Sequence, residues 1–142
     1  MASIPELFLD AATAGCTFVC DGTAFGVEDL AVQARRLANG LKGLGIEPGD
    51  RIAAWLPNIP QYLSLYAATA RLGAILVAVN TRFSAPEIAD IVGRSGATML
   101  VAVRAGDNLA TLSKISADAM PALRNLILCG DDATSEAMGG PS

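Results

Sequence analysis

Four short apolar runs decide what this chain can fold into. RIAAWL at residues 51–56, AILVAV at 74–79, TMLVAV at 98–103 and NLILC at 125–129 are too short for buried helices. They also lack the apolar–polar alternation of a strand with one wet face. The segments between them carry helical spacing and no hairpin turns. Strands apolar on both sides and separated by helices belong to parallel sheets. The expected fold class is therefore α/β, with alternating strands and helices forming a mainly parallel sheet covered by helices on both faces. Each strand–helix–strand step should cross right-handed.

The N-terminal quarter departs from that pattern. Residues 5–12 carry a helical face ending near Gly15, TFVC at 17–20 reads as a strand, and Asp21-Gly22 is a tight-turn signal returning the chain through Ala24 and Phe25. A short N-terminal β-hairpin is expected there. Residues 27–44 form the clearest helix, with Leu30, Ala34, Leu37 and Leu41 on one face and Glu28 and Asp29 in its first turn. Gly43 and Gly45 supply its stop. A second helix, 61–72, has few polar residues and should be covered on more than one side. A third runs over 85–94 until Ser95-Gly96, and Asp107 is expected to cap a fourth that carries Leu109, Leu112 and Ile115. One domain is expected over residues 1–129, followed by a flexible tail at 130–142, GDDATSEAMGGPS, which has almost no large apolar residues.

Composition removes whole classes of function. The net charge is −4 and the ten Lys and Arg residues are dispersed, which argues against nucleic acid as a partner. Histidine is absent, so no Ser-His-Asp triad, Cys-His pair or histidine metal site exists in this sequence. No apolar run approaches the ~20 residues of a membrane span, and MASIPELFLDAATAG lacks the basic start of a secretory signal. A cytoplasmic setting is expected. Three cysteines without a CxxC pair suit reduced thiols, with Cys16 and Cys20 expected to pack as small hydrophobes. Trp55, Tyr62 and Tyr66 lie in apolar context and read as packing residues.

Nucleotide motifs fail one by one. GLKGLG at 40–45 has the wrong order for a dinucleotide fingerprint and closes a helix, where anions are repelled, instead of opening one. No GxxxxGK[ST] occurs. The strand tips carry Asn58, Asn80 and Arg104, not the acidic set of a phosphoacceptor receiver domain. Ser84-Ala85-Pro86-Glu87 is a capping box with proline tolerated in the first turn. Asn80-Thr81-Arg82, between the second run and that box, stays open between two readings. Strand tips before helices hold ligands in α/β folds and Arg can grip a phosphate or carboxylate, yet a surface turn needs the same residue types.

The order of segments resembles a known family. VEDLAVQARRLANGLKGLGIEPGDRIAAWLPNIPQYLSLYAATARLGAILVAVNTRFSAPEIADIVGRSGATMLVA is similar to the N-terminal region of the adenylate-forming, AMP-binding superfamily, which includes acyl-CoA synthetases, aryl-CoA ligases, luciferases and adenylation domains. Phe25-Gly26-Val27-Glu28-Asp29-Leu30 stands at the family's first core motif, GIEPGDRIAAWLPN at its glycine–aspartate turn and Pro-Asn, and ARLGAILVAVNTR at its second motif with the asparagine–x–arginine segment. The likeness spans residues 7–129. It departs at Val27, where the family often has tyrosine, and at Ala78, where it often has proline. The Asn-Thr-Arg followed by a Pro-Glu helix start is most like fatty-acyl (long-chain acyl-CoA synthetase) and aryl-CoA ligases.

The resemblance implies an acid–thiol ligase. ATP and a carboxylate give an acyl-adenylate and pyrophosphate, and coenzyme A then displaces AMP to form a thioester. Mg²⁺ accompanies ATP in that family. Its Thr/Ser/Gly-rich phosphate loop, magnesium-binding glutamate, ribose-binding aspartate, hinge and catalytic lysine have no counterpart in these residues. The expected reading is an N-terminal portion with no catalytic or metal-binding residue of its own, inactive alone, binding no cofactor tightly and partnered by the missing remainder of the ligase. Exposed apolar surface would also favour self-association. Arg82 alone carries over as a contact, to the nucleotide phosphate of coenzyme A. The alternatives are a stand-alone, non-catalytic α/β interaction module, a truncated paralogue that associates with other ligase chains and, within the family, an aryl-CoA or acyl-AMP ligase.

Overall fold

A computed structural model describes residues 1–130; the tail expected to be flexible lies, from residue 131, outside the described residues. The chain opens with α1 (Ile4–Thr13), the antiparallel pair β1 (Thr17–Cys20) and β2 (Thr23–Gly26), and α2 (Val27–Gly43). It continues through β3 (Arg51–Trp55), α3 (Pro60–Leu72), β4 (Ile75–Ala78), α4 (Ala85–Ser95), β5 (Met99–Val103), α5 (Gly106–Ser113), a 3₁₀ turn (Ala117–Ala119) and β6 (Asn125–Cys129).

Asp21 (φ 48°) and Gly22 (φ 75°) both adopt left-handed backbone. That is the requirement of the two-residue turn whose twist matches a hairpin. Phe18 and Phe25, directly opposite in the ladder, stack with centroids 5.1 Å apart.

The four apolar runs form one parallel sheet in the order β4-β3-β5-β6. Because strand side chains alternate, each central strand feeds two cores. Ile52, Ala54, Met99 and Val101 face α2 and α3, where Leu37, Leu41, Leu65 and Ala68 meet them. Ala53, Trp55, Leu100 and Ala102 face the other way, against Ile88 and Val92 of α4, with Leu112 of α5 packed alongside. Helices thus cover both faces, as the unbroken apolar runs require.

α3 is enclosed as its composition implies, with Gln61, Ser64, Leu65, Ala67, Ala68 and Thr69 all buried. Thr69 tolerates burial by donating its hydroxyl to the Leu65 carbonyl. Gly96 (φ 68°) ends α4 in the left-handed conformation.

Three local expectations change. Asp107 does not cap α5; Ala105 holds that position and Asp107 lies in the first turn. Cys16 is exposed in the turn between α1 and the hairpin, where its carbonyl accepts the Val27 amide at 3.0 Å. Tyr66 stands on the outer side of α3, 39% exposed, while Tyr62 packs on the core.

Candidate functional site

The loop holding Asn80, Thr81 and Arg82 follows β4 and ends at α4. Val79 extends the ladder by donating its amide to the Ala54 carbonyl at 3.0 Å, and its side chain is buried. The next residue turns inward on the loop itself. Asn80 Oδ1 accepts the Arg82 amide at 2.9 Å, and the Asn80 carbonyl accepts the Phe83 amide at 3.1 Å. This Asx turn explains the amide side chain as a local device. Arg82 is left exposed at the tip, and no described partner engages its guanidinium.

The loop is anchored behind by the start of α4. Glu87 Oε2 accepts from the backbone amide and the hydroxyl of Ser84, both at 2.7 Å. Those bonds, the backbone one first, hold the Glu87 carboxyl below its ordinary range. An ionised carboxylate there also complements the helix N-terminus.

The sheet order places this loop at an unforeseen point. After β4 the chain crosses β3 to reach β5, so the strand order reverses between β3 and β5. Crevices at the carboxyl ends of such strands are the usual ligand positions. Asn58 and Arg104 lie there, whereas Arg82 leaves from the edge strand. Asn58 is tied to the hairpin, its carbonyl accepting the Cys20 thiol at 3.2 Å. Trp55, at the end of β3, is 4% exposed and its Nε1 has no hydrogen-bond partner. An apolar cavity of about 270 Å³ opens nearby, between the hairpin and the start of α3, lined by Phe18, Ile59 and Tyr62.

The rest of the described surface carries little reactive chemistry. Among the described residues no group of three or more His, Cys, Asp or Glu could hold a metal ion. Burial pushes the Cys129 thiol up to about 11, far from a nucleophile at neutral pH. No helix among the described residues is long and apolar enough to cross a membrane.

Comparison with known proteins gives one consistent answer. The AMP-binding enzyme family model matches residues 11–139. Feruloyl-CoA synthase of an Amycolatopsis species is 41% identical over 80 residues, 56% of this chain and 16% of that protein. Long-chain-fatty-acid–CoA ligase FadD13 of Mycobacterium tuberculosis is 41% identical over 68 residues, 48% of this chain and 14% of that protein. The chain therefore spans well under two thirds of these relatives. The crystallised N-terminal domain of FACL13 from Mycobacterium tuberculosis superposes with a TM-score of 0.83 at 26% identity, covering 100% of this chain and 37% of that one.

Proposed function

The chain belongs to the AMP-binding enzyme family, and on that premise we propose that it is the N-terminal part of an acyl-CoA ligase. The parent reaction joins a carboxylic acid to coenzyme A through an acyl-adenylate at the expense of ATP. The observation that supports this most is that the match covers 100% of this chain but only 37% of the crystallised N-terminal domain of a relative. Relatives acting on feruloyl and long-chain fatty acyl groups leave the acid class as a carboxylate of either kind.

In this reading residues 1–129 serve as a scaffold. They supply the parallel sheet on which the remainder of the ligase is built, and that remainder holds ATP and Mg²⁺. Arg82 is the one side chain assigned a ligand. An exposed guanidinium with no partner among the described residues, on a loop fixed by its own Asx turn, fits a phosphate of coenzyme A. Phosphate recognition needs only that fork; the loop's rigidity lowers the entropy of holding it in place.

Calorimetry on the purified chain tests the assignment. Mg-ATP is expected to give no tight binding, and a measured affinity in the low micromolar range would overturn the division of labour. Coenzyme A and its 3′-dephospho form, added to the complete ligase, separate the role of Arg82. The Arg82→Ala substitution should weaken the first far more than the second, and equal effects would remove that role.

A further inference from the structure

Two arginines on the far side of the sheet from α4 share an environment that the ligase reading leaves unused. Arg35 lies on α2 and Arg71 on α3, and these helices run in the same direction. The amide of Gly49, in the turn after α2, donates to the carbonyl of Gly73 at the end of α3 at 2.9 Å, so both C-terminal ends lie together. Each helix repeats one step, Ala31 to Arg35 and Ala67 to Arg71. Residues four apart share a helix face, so both alanines floor the same trough and both arginines stand one turn further along it. Phe8 and Leu9 of α1 line the trough with them, around a half-open cavity of about 180 Å³.

The electrostatics of the trough are unbalanced. Among the described residues neither guanidinium has an ion-pair or hydrogen-bond partner. One carboxylate, Glu6, lines the cavity, and its Oε2 already accepts the Ser3 amide at 2.6 Å in the α1 capping box. Water can solvate the two cations but gains nothing from the alanine and phenylalanine surface beside them. The complementary solute is an anion carrying an apolar chain. A planar carboxylate matches the guanidinium fork, and a volume of about 180 Å³ holds roughly six groups of water's size. That is room for a carboxyl head and the first methylenes, the rest of the chain leaving through the open side.

The geometry points to a binding site for a free, chain-bearing monocarboxylate in the trough between α1, α2 and α3, gripped by Arg35 and Arg71. No residue of the Asn80–Arg82 loop lines it, so the site is separate from the proposed coenzyme A contact.

Octanoate is the probe, titrated into the isotopically labelled chain and read by backbone and arginine side-chain NMR. Saturable shifts confined to Phe8, Ala31, Ala67 and the two arginines are expected, with a Kd on the order of 1 mM. Arg35→Gln and Arg71→Gln should each weaken binding about tenfold while leaving the melting temperature unchanged, since both side chains are exposed. Octanamide should bind at least about tenfold more weakly than octanoate for the same reason. The site is overturned by absence of saturation at about 10 mM, by unchanged affinity in the folded variants, or by equal binding of octanamide. Equal binding of acetate would overturn the apolar half of the assignment. If only vesicles of anionic lipid produce the shifts, the free carboxylate is the wrong ligand. Neither ATP nor coenzyme A enters the measurement, so its outcome is independent of the ligase reading.

Discussion

Asn80 and Arg82 are joined by a hydrogen bond from the Arg82 amide to Asn80 Oδ1, 2.9 Å long. The asparagine is thereby committed to shaping the loop, and the arginine is the residue displayed. In Asn80→Ala the Arg82 amide loses its acceptor but keeps access to water. A small stability loss of about 0.5 kcal/mol is expected, with faster hydrogen exchange at that amide. Asn80→Asp preserves the acceptor and should leave both unchanged. An Asn80→Ala chain whose Arg82 amide exchanges no faster would show that the turn closes without the side chain.

The Glu87 carboxyl is held below its ordinary range by its bonds from Ser84. A carboxyl depressed in the folded state contributes stability above the unfolded value, 4.5 here, and loses it as pH falls through the folded value. Glu87→Gln should therefore lower the urea midpoint at about pH 7 and approach the parent chain at about pH 3. Glu6, held low by the Ser3 amide and hydroxyl, should follow the same sign. A deficit for Glu87→Gln that stays constant across that range would contradict the assignment.

Gly93 lies inside α4, where alanine has the better helix propensity by about 1 kcal/mol. A β-carbon there, however, would collide with the backbone carbonyl of Ala119 in the 3₁₀ turn. A backbone neighbour cannot swing aside, and overpacking costs about 1–3 kcal/mol. Gly93→Ala should be destabilising on balance, read as a lower midpoint in denaturant. Equal or greater stability would mean that the 3₁₀ turn shifts freely.

Thiol accessibility should separate the cysteines. Cys16 is exposed, whereas Cys129 is buried with its thiol raised to about 11. A thiol reagent at about pH 8 should label Cys16 promptly and Cys129 only on unfolding, because the thiolate is the reactive form. Prompt labelling of Cys129 in the native chain would place β6 in an opening equilibrium.

Both outer strands of the sheet carry exposed apolar residues, Ile75 (47%) on β4 and Leu126 (48%) on β6. β4, ILVA, has no charge or proline to discourage pairing. The self-association expected from exposed apolar surface should appear as a concentration-dependent sedimentation coefficient, and Ile75→Lys should suppress it. A strictly monomeric chain at high concentration would count against it.

Much of the fold was legible in the residues. Asp21-Gly22 forced a hairpin because few residue pairs accept two left-handed conformations. The unbroken runs at 51–56 and 98–103 could only be strands covered twice, and Ile52 with Ala53 shows both sides buried. Asp107 is a good capping residue, but it falls two positions past the cap of α5, which Ala105 occupies. Propensity names the residue type but does not fix which backbone position first turns helical.

The sequence by itself determined the α/β class, the parallel pairing, the capping box and the family likeness. These rest on local backbone chemistry and on the period of apolar residues. The tertiary structure decided the strand order, and with it the reversal between β3 and β5 that leaves Arg82 in the loop after an edge strand. It also brought Arg35 and Arg71, 36 positions apart in the chain, to one trough. Strand order and helix pairing depend on which faces bury one another, and residues distant in the chain carry no local record of that choice.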